Sequence, residues 1–372
     1  MTAIIDEWVT ELGTNTTEPW NMSEWTNYLS LDVLGKLCFG ESFNALGSTT
    51  NRWAISALME STTVRYSRGF APILYSSRLL RRLIFGPIAP LEVGPFSMYA
   101  RSAVAKRMSP THTSTDRDFI SWLLDAKDPT TGQGFNIKEV WAESSLLIAA
   151  GSDTSSTAMS ALLFYLTHNP DKLAKLTAEL QGHFATMQDI HSGPALNSCV
   201  YLRACLDEAL RLAPPVPAIL PRTAMMGGMV IDGEHIPEGV NVGTGSWSIH
   251  HNPTYYPDPY TFRPERWIAD IDEGVTAESV KLAKDAFCAF SIGPRGCIGK
   301  NMAYLELQVA IGRLVFQYDI VSKSRKGAGG EVLGKKGEGL RERRDEFQIY
   351  DHFICYKEGP EVQFTPRGAV AA

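Results

Sequence analysis

Cys297 lies between two glycines, directly before an apolar stretch with helical spacing, in AFSIGPRGCIGKNMAYLEL, residues 289–307. A thiol at the N-terminus of a helix ionises more easily, because unpaired backbone N–H groups and the helix dipole stabilise the thiolate. Gly293 and Gly299 keep side chains away, so the backbone can approach a large flat group, and Arg295 could meet an anion there. The local pattern leaves two interpretations open: a buried structural cysteine, which is the commoner role of a lone cysteine, and a reactive thiolate.

A second unusual stretch is AGSDT, which contains Ala150, Gly151, Asp153 and Thr154. It falls in the middle of a predicted long helix, although Gly, Asp and Thr are poor helix formers. The hydroxyl of Thr154 could bond back to the carbonyl of Ala150, which would loosen one turn and leave room for a small ligand and water. A carboxylate beside an alcohol could form a proton path; a helix bend with packed polar groups is the alternative.

A third feature is the pair Glu208 and Arg211 in DEALR, one helical turn apart. Such pairs are usually exposed and contribute little to stability. The later stretch FRPERW supplies Arg266 and Trp267. If the site is buried, this second guanidinium could lock the helix to that loop.

Composition limits the classes of function. The chain has 372 residues, 44% of them hydrophobic and 20% charged, which is typical of a globular protein with a sizeable core. A net charge of −6 gives no general attraction to nucleic acid or anionic lipid, so a small-molecule role is favoured. The six cysteines form no C-x-x-C pair, which suits a reducing compartment. No membrane span or signal peptide is recognisable, so the chain as written is expected to be soluble.

The residues of these three motifs must be positioned by secondary structure. The periodicity of the chain predicts mainly helices with a minor β region. One long buried helix is predicted from Lys138 to Pro170, and another over CVYLRACLDEALRLAPP. Period-two alternation in MVIDGEHIPEGVNVGTGSWSI predicts a small sheet, and HFICYKEGPEVQFTP a hairpin. The stretch 322–347 is rich in charge and glycine, which predicts a solvated loop, with a basic docking patch as the alternative.

Taken together, the motifs resemble those of the cytochrome P450 family of haem-thiolate enzymes. The order of the matches is the family's own, and each is listed here: A-G-x-D-T at Ala150, Gly151, Asp153 and Thr154; E-x-x-R at Glu208 and Arg211; P-E-R-W at Pro264, Glu265, Arg266 and Trp267; and F-x-x-G-x-R-x-C-x-G at Phe290, Gly293, Arg295, Cys297 and Gly299. The resemblance is most like fungal members, many of which serve secondary metabolism.

This resemblance implies the cytochrome P450 fold, mainly α with a minor β region, and haem b with iron held by Cys297 as axial thiolate. Asp153 and Thr154 would deliver protons, and Glu208, Arg211 and Arg266 would be structural. The residues implied in haem binding are Arg295, Arg222, Phe290, Gly293, Gly299, Ala150 and Gly151, and those implied in facing substrate are Val216, Ala218 and Ile219. The implied partners are NADPH-cytochrome P450 reductase and a lipophilic small molecule, with no nucleic acid.

The N-terminus departs from the family pattern. LDVLGKLCFGESFNAL resembles a helix that normally lies well inside the fold, yet it starts at residue 31. None of the eight tryptophans has an arginine four residues later, so one family propionate contact is missing. Residues 1–372 therefore read as a single truncated domain. We expect a full-length form at the cytosolic face of the endoplasmic reticulum and this chain, without an anchor, in the cytoplasm.

The resemblance leaves three functions open. The first is a monooxygenase that oxidises, for example hydroxylates, a lipophilic molecule. The second is an isomerase or dehydratase of the same family, which the intact acid–alcohol pair disfavours. The third is a truncated product that binds haem weakly and does not turn over, because apolar surface would be left facing water.

Overall fold

The computed structural model describes residues 1–58, 95–109, 117–323, 328 and 343–368. Most of the charged stretch predicted as a loop, 324–327 and 329–342, lies outside these residues. The described helices are α1 (Thr2–Leu12), α2 (Met22–Phe39), α3 (Pro95–Arg107), α4 (Phe119–Asp125), α5 (Ile137–His168), α6 (Pro170–His183), α7 (Pro194–Asn197), α8 (Val200–Leu212), α9 (Ser246–His250), α10 (Ala277–Ala286) and α11 (Lys300–Gln317). Short 3₁₀ turns cover Met187–Asp189, Pro264–Trp267 and Gly293–Arg295.

The long helix α5 confirms the prediction to within two residues at each end. It begins with a capping box, in which the side chain of Asn136 accepts the backbone N–H of Glu139 and the Glu139 carboxylate accepts the N–H of Asn136. Its C-terminal half is buried, and there it packs along α2, where the hydroxyl of Thr26 lies 2.8 Å from that of Ser156 and 2.9 Å from that of Ser160. The predicted burial on most sides holds for this half only.

The strands are short and form four small sheets among the described residues. They are β1 (Trp20–Asn21), β2 (Arg222–Thr223), β3 (Met229–Ile231), β4 (Glu234–Ile236), β5 (Asn241–Val242), β6 (Tyr318–Ser322), β7 (Ile349–Tyr350), β8 (Tyr356–Lys357) and β9 (Glu361–Pro366). The pairs β2–β5, β3–β4 and β7–β8 are antiparallel two-stranded sheets, and the fourth sheet has the order β1-β9-β6.

Two strand predictions need correction. The period-two stretch does form β3, β4 and β5, but its end, Ser246–His250, is helix α9. HFICYKEGPEVQFTP is not one hairpin: β8 pairs with β7, while β9 pairs with β6 and with β1, so that Trp20 lies opposite Val362. A strand that joins distant partners gives no local signal of its register.

The largest core cluster joins α1 and α2 to the buried half of α5, to α8 and to α11, with β6 and β9 along its edge. A second cluster lies between α2, α3 and the first half of α5. The two helices that matter for chemistry, α5 and α11, are thus fixed in the same core. Among the described helices, none combines the length and apolar character that crossing a membrane requires.

Candidate active site

Cys297 lies in a tight exposed loop that ends where α11 begins, because Gly299 caps that helix. Its N–H donates to the carbonyl of Phe290 at 2.8 Å, and the N–H of Ser291 donates to Cys288 at 2.8 Å. Gly293 has φ +71°, a conformation that side chains rarely adopt, and a Cβ there would meet nothing within 4 Å. The loop therefore presents the thiol beside open space.

The aromatic ring of Phe290 fixes this loop to the helices behind it. Its centroid lies 5.0 Å from that of Tyr304, whose hydroxyl donates to Asp207 of α8 at 2.5 Å. The guanidinium of Arg203 lies 3.5 Å from the centre of the Tyr304 ring and also bonds Asp207, at 3.0 Å. Burial raises the pKa of the Asp207 carboxyl, and Arg203 opposes that shift.

The acid–alcohol stretch has the predicted back bond. The hydroxyl of Thr154 donates to the carbonyl of Ala150 at 2.6 Å on an exposed part of α5. Leu146, one turn before Ala150 on the same face, is 53% exposed, so this face borders open space in the middle of a long helix. Gly151 has a packing reason as well: a Cβ there would come within 2.6 Å of Leu34 in α2.

Asp153, next to Thr154, faces elsewhere. Its carboxylate accepts from the ammonium of Lys357 at 2.8 Å, and that ammonium also lies 3.3 Å from Asn27. Lys357 is buried and Asp153 nearly so. The predicted proton-delivery acid is thus an ion-paired carboxylate with a partner in β8.

A buried contact ties the acid–alcohol turn to the helix that follows Cys297. The hydroxyl of Ser155 donates to the carboxylate of Glu306 in α11 at 3.0 Å, and both residues are buried. Burial raises the pKa of the Glu306 carboxyl to about 7, and the Ser155 hydrogen bond opposes the shift. This crossing brings the Thr154 turn and the N-terminal part of α11 to one region of the fold.

The Glu208–Arg211 pair is fully buried, as the motif required for a structural role. The Arg211 guanidinium bonds Glu208 at 2.8 and 2.9 Å. Arg266 adds a bond to the same carboxylate at 2.9 Å, and the indole N–H of Trp267 donates to it at 2.9 Å. Although burial alone would raise the pKa of Glu208, the charges of Arg211 and Arg266 and their hydrogen bonds hold it below its usual value. The carboxylate is therefore ionised and locks α8 to the loop that precedes α10.

The segment after α8, predicted to face substrate, contacts two other parts of the chain at Gly245 and Cys355. Val216 and Ala218 are half-buried, and Ile219 is 54% exposed, opposite Gly245. Cys355 donates its N–H to the carbonyl of Pro215 at 2.9 Å, two residues before Lys357. The stretch 355–357 therefore contacts both this segment and Asp153.

The two arginines predicted to meet propionates, Arg222 and Arg295, are both exposed. Near Arg295 the apolar side chains of Ile292 and Ile298 are 73% and 98% exposed, unusual for residues so close to a packed helix. A thiol, exposed apolar side chains and guanidinium groups are the donor set that suits haem: an iron ligand, a flat apolar ring and two carboxylates. The residues present fit the group.

Sequence reasoning missed several residues that the structure brings into this region: Lys357, Glu306, Ser155, Asp207 and Tyr304. Glu306 had a detectable signal, since it is a carboxylate inside the apolar repeat of NMAYLELQVAIG. Lys357 had none, because its partner Asp153 is 204 residues away.

Comparison with known proteins agrees with the motifs. The family model described as cytochrome P450 matches residues 1–327. A cytochrome P450 monooxygenase of Gibberella zeae is 40% identical over 362 residues, 96% of this chain and 80% of the relative. The monooxygenase apf7 of Gibberella fujikuroi is 40% identical over 94% of this chain and 66% of its own length. The monooxygenase lcsN of Purpureocillium lilacinum is 35% identical over 93% of this chain and 99% of its own length.

Solved structures share the fold. The crystal structure of a cytochrome P450 (CYP102L1) matches with a TM-score of 0.71 at 20% identity, over 98% of this chain and 73% of that one. The haem domain of cytochrome P450DA matches with a TM-score of 0.72 at 18% identity, over 98% and 72%. The fold class predicted from the sequence, mainly α with a minor β region, is confirmed.

Proposed function

Because the chain belongs to the cytochrome P450 family of haem-thiolate oxidoreductases, we propose that it is a monooxygenase that hydroxylates a lipophilic small molecule, with Cys297 as the iron ligand. The observation that carries this proposal is the buried Ser155–Glu306 contact, which brings the Thr154 turn and the helix that follows Cys297 together. Two motifs about 140 residues apart in sequence thereby serve one site.

Bound haem with a thiolate ligand supplies the activation of dioxygen. The chain supplies the rest. Cys297 would provide the thiolate from its exposed loop, and the exposed Ile292 and Ile298 would exclude water from the ring. Arg295 and Arg222 would pair with the carboxylates of haem. These assignments rest on the family resemblance and agree with the exposure of both side chains.

Proton delivery is assigned to the loosened turn. The hydroxyl of Thr154, held by its bond to Ala150, can exchange that bond for one to water in the open space beside the helix. Asp153 is next to Thr154 in sequence, and its carboxylate is paired with the ammonium of Lys357 at 2.8 Å. Ile219 and the half-buried Val216 and Ala218 supply an apolar surface for the substrate.

Partners and setting extend the proposal. Enzymes of this family need a redox partner, and we propose NADPH-cytochrome P450 reductase as the electron donor. The relatives are fungal monooxygenases, which supports a role in secondary metabolism. A location at the cytosolic face of the endoplasmic reticulum stays a prediction.

The test is the reduced carbon monoxide difference spectrum of the purified chain and of Cys297→Ser. We expect the thiolate-type spectrum in the parent and its loss in the variant, because an alcohol oxygen donates far less electron density to iron. Cys288→Ser is the matched control, since it removes a thiol at the other end of the same loop, and it should keep the spectrum. A thiolate spectrum in Cys297→Ser would overturn the assignment; no haem in the parent would favour the non-catalytic alternative.

A further inference from the structure

His250 is a fully buried imidazole at the end of α9, far in sequence from the Cys297 loop but in contact with its start. Its Nε2 accepts the backbone N–H of Cys288 at 3.0 Å. Its own carbonyl accepts from Arg211 at 2.8 Å. One residue therefore touches both the buried Glu208–Arg211 pair and the loop that carries the thiol.

We propose that His250 is a positioning residue, whose neutral imidazole fixes the start of the Cys297 loop to the buried Glu208–Arg211 pair. The anchoring itself is independent of the function proposed above; its consequence for the haem ligand rests on that function. None of the sequence motifs pointed to this histidine.

One tautomer of the neutral His250 ring can accept the hydrogen bond from Cys288. Because Nε2 accepts, the proton of the neutral ring is on Nδ1, which has no hydrogen-bond partner in the described part of the chain. The ring also stacks on Phe287, with centroids 5.3 Å apart and planes 11° apart. The stacking fixes the direction in which Nε2 points.

The surroundings keep the ring neutral. The charged and titratable groups near His250 include the guanidinium of Arg211, the carboxylate of Glu208, the second imidazole His251, and Tyr256, which meets its ring edge-on, with the Cys288 thiol 3.6 Å from Nε2. Burial is the main cause that lowers the pKa of His250, to about 3, and Arg211 adds to it. The acceptor at Nε2 is therefore present at every pH at which the protein is expected to work.

The contact reaches Cys297 through a short series of bonds. Cys288 receives the N–H of Ser291 on its carbonyl, and Phe290 receives the N–H of Cys297. A fixed Cys288 thus fixes the turn that closes the loop. If Cys288 moves, the carbonyl that holds the Cys297 backbone moves with it.

Two variants separate the roles of the ring. His250→Phe keeps an aromatic ring to stack on Phe287 but removes the acceptor. His250→Gln keeps an acceptor oxygen at a similar reach but removes the ring. His251→Phe is the matched control, because its buried ring contacts Trp247 instead of the loop.

The readout is hydrogen exchange of the Cys288 and Cys297 amides in the full chain purified with haem. We expect His250→Phe to speed both by about tenfold, the ratio that corresponds to one net hydrogen bond, and His250→Gln to restore most of the protection. Amides of α6 serve as the internal reference and should be unchanged. Unchanged exchange in His250→Phe, or equally fast exchange in both variants, would overturn the proposal.

A second measurement links the anchor to the ligand. In His250→Phe we expect the thiolate-type carbon monoxide spectrum to convert faster to the thiol type, whereas His250→Gln and His251→Phe keep the parent rate. Equal conversion rates in all four proteins would overturn the link to the ligand. If Cys297→Ser retained the thiolate spectrum, the function proposed above would fail, while the exchange result would still decide whether His250 anchors the loop.

Discussion

At the scale of single residues, the neighbours Asp153 and Thr154 meet different surroundings. The hydroxyl of Thr154 lies on an exposed face of α5, whereas the carboxylate of Asp153 is paired with Lys357. Adjacent helix positions are about 100° apart, so one turn can direct an alcohol towards open space and a carboxylate towards a strand. The two residues should therefore respond differently to mutation.

For Thr154→Ala we expect haem content to stay nearly unchanged, product formed per NADPH to fall, and peroxide to rise, because the turn loses the hydroxyl that can donate a proton. Thr154→Ser keeps the hydroxyl and should keep most of the product. Thr157→Ala is the control, since its hydroxyl makes the same back bond, to Asp153, at a buried position. Equal coupling in Thr154→Ala and the parent would count against the proton role.

For Lys357→Met we expect a loss of about 3 to 5 kcal/mol in the free energy of unfolding, because a nearly buried carboxylate loses its cation. The double variant with Asp153→Asn should recover part of that loss, which a double-mutant cycle in denaturant measures as coupling. If the two single losses simply add, the pair at 2.8 Å makes no specific contribution.

The sequence revealed the alcohol and the acid but not the lysine. Local spacing identifies groups within one or two turns, so the Thr154 bond to Ala150 was predictable. Lys357 reaches Asp153 from a strand that no periodicity links to α5. The same reason hid His250, whose partner Cys288 is 38 residues away.

At the scale of elements, α8 positions the site through two adjacent carboxylates that serve different neighbours. Asp207 bonds Tyr304 of α11, and Glu208 bonds Arg266 of the 3₁₀ turn. The first contact supports the helix behind Cys297, and the second supports the loop before α10. Substitutions of Asp207 or Glu208 should therefore weaken haem binding indirectly, through the elements that these carboxylates support.

For Glu208→Ala we expect a loss of about 3 to 5 kcal/mol in stability and poor haem retention, because the buried guanidinium of Arg211 is left without its carboxylate. We expect Arg211→Ala to show a similar loss of stability and of haem, because Glu208 then loses its buried partner. Lys281→Ala removes one charge of the exposed pair with Asp285 and should change stability by less than about 1 kcal/mol. Haem per chain from the absorbance ratio and the unfolding midpoint check all three; normal haem content in both buried variants would contradict the structural role.

Elements were predictable where their signal was local. Helix α5 and helix α8 follow from apolar spacing and from the prolines after them. The pairing of β8 and β9 was not predictable, because these strands are near neighbours in sequence but belong to different sheets. Which strands pair depends on tertiary packing, and in β9 the partners come from both ends of the described chain.

At the scale of the whole molecule, buried titratable groups make stability depend on pH in two opposing ways. Burial lowers the pKa of His250 to about 3 and that of His251 to about 4. The unfolded chain then takes up protons below about pH 6.5 while the folded chain does not, so these residues reduce stability as pH falls. Glu306, with its raised pKa, acts in the opposite direction, because its ionised form is disfavoured in the fold.

For Glu306→Gln we expect the variant to gain stability relative to the parent as pH rises from about 4.5 to 7, by about 1.4 kcal/mol for each unit of pKa shift. In that window the unfolded parent loses its proton while the folded parent, with a pKa of about 7, retains it. Thermal midpoints at pH 5 and pH 8 measure the change, with Glu278→Gln, an exposed carboxylate, as control. A parent–variant difference that is the same at both pH values would contradict the raised pKa.

The sheet β1-β9-β6 carries a consequence for synthesis on the ribosome. Trp20 leaves the ribosome long before its partner Val362. Because domains begin to fold while translation proceeds, β1 must wait until β9 has been synthesised before its partner exists. The Cys297 loop emerges before β9, so it must fold while β1 is still unpaired. Cofactor capture by the nascent chain should therefore be slow until β9 has emerged, and a stop codon between Ser322 and Glu361 would leave β1 permanently without its partner.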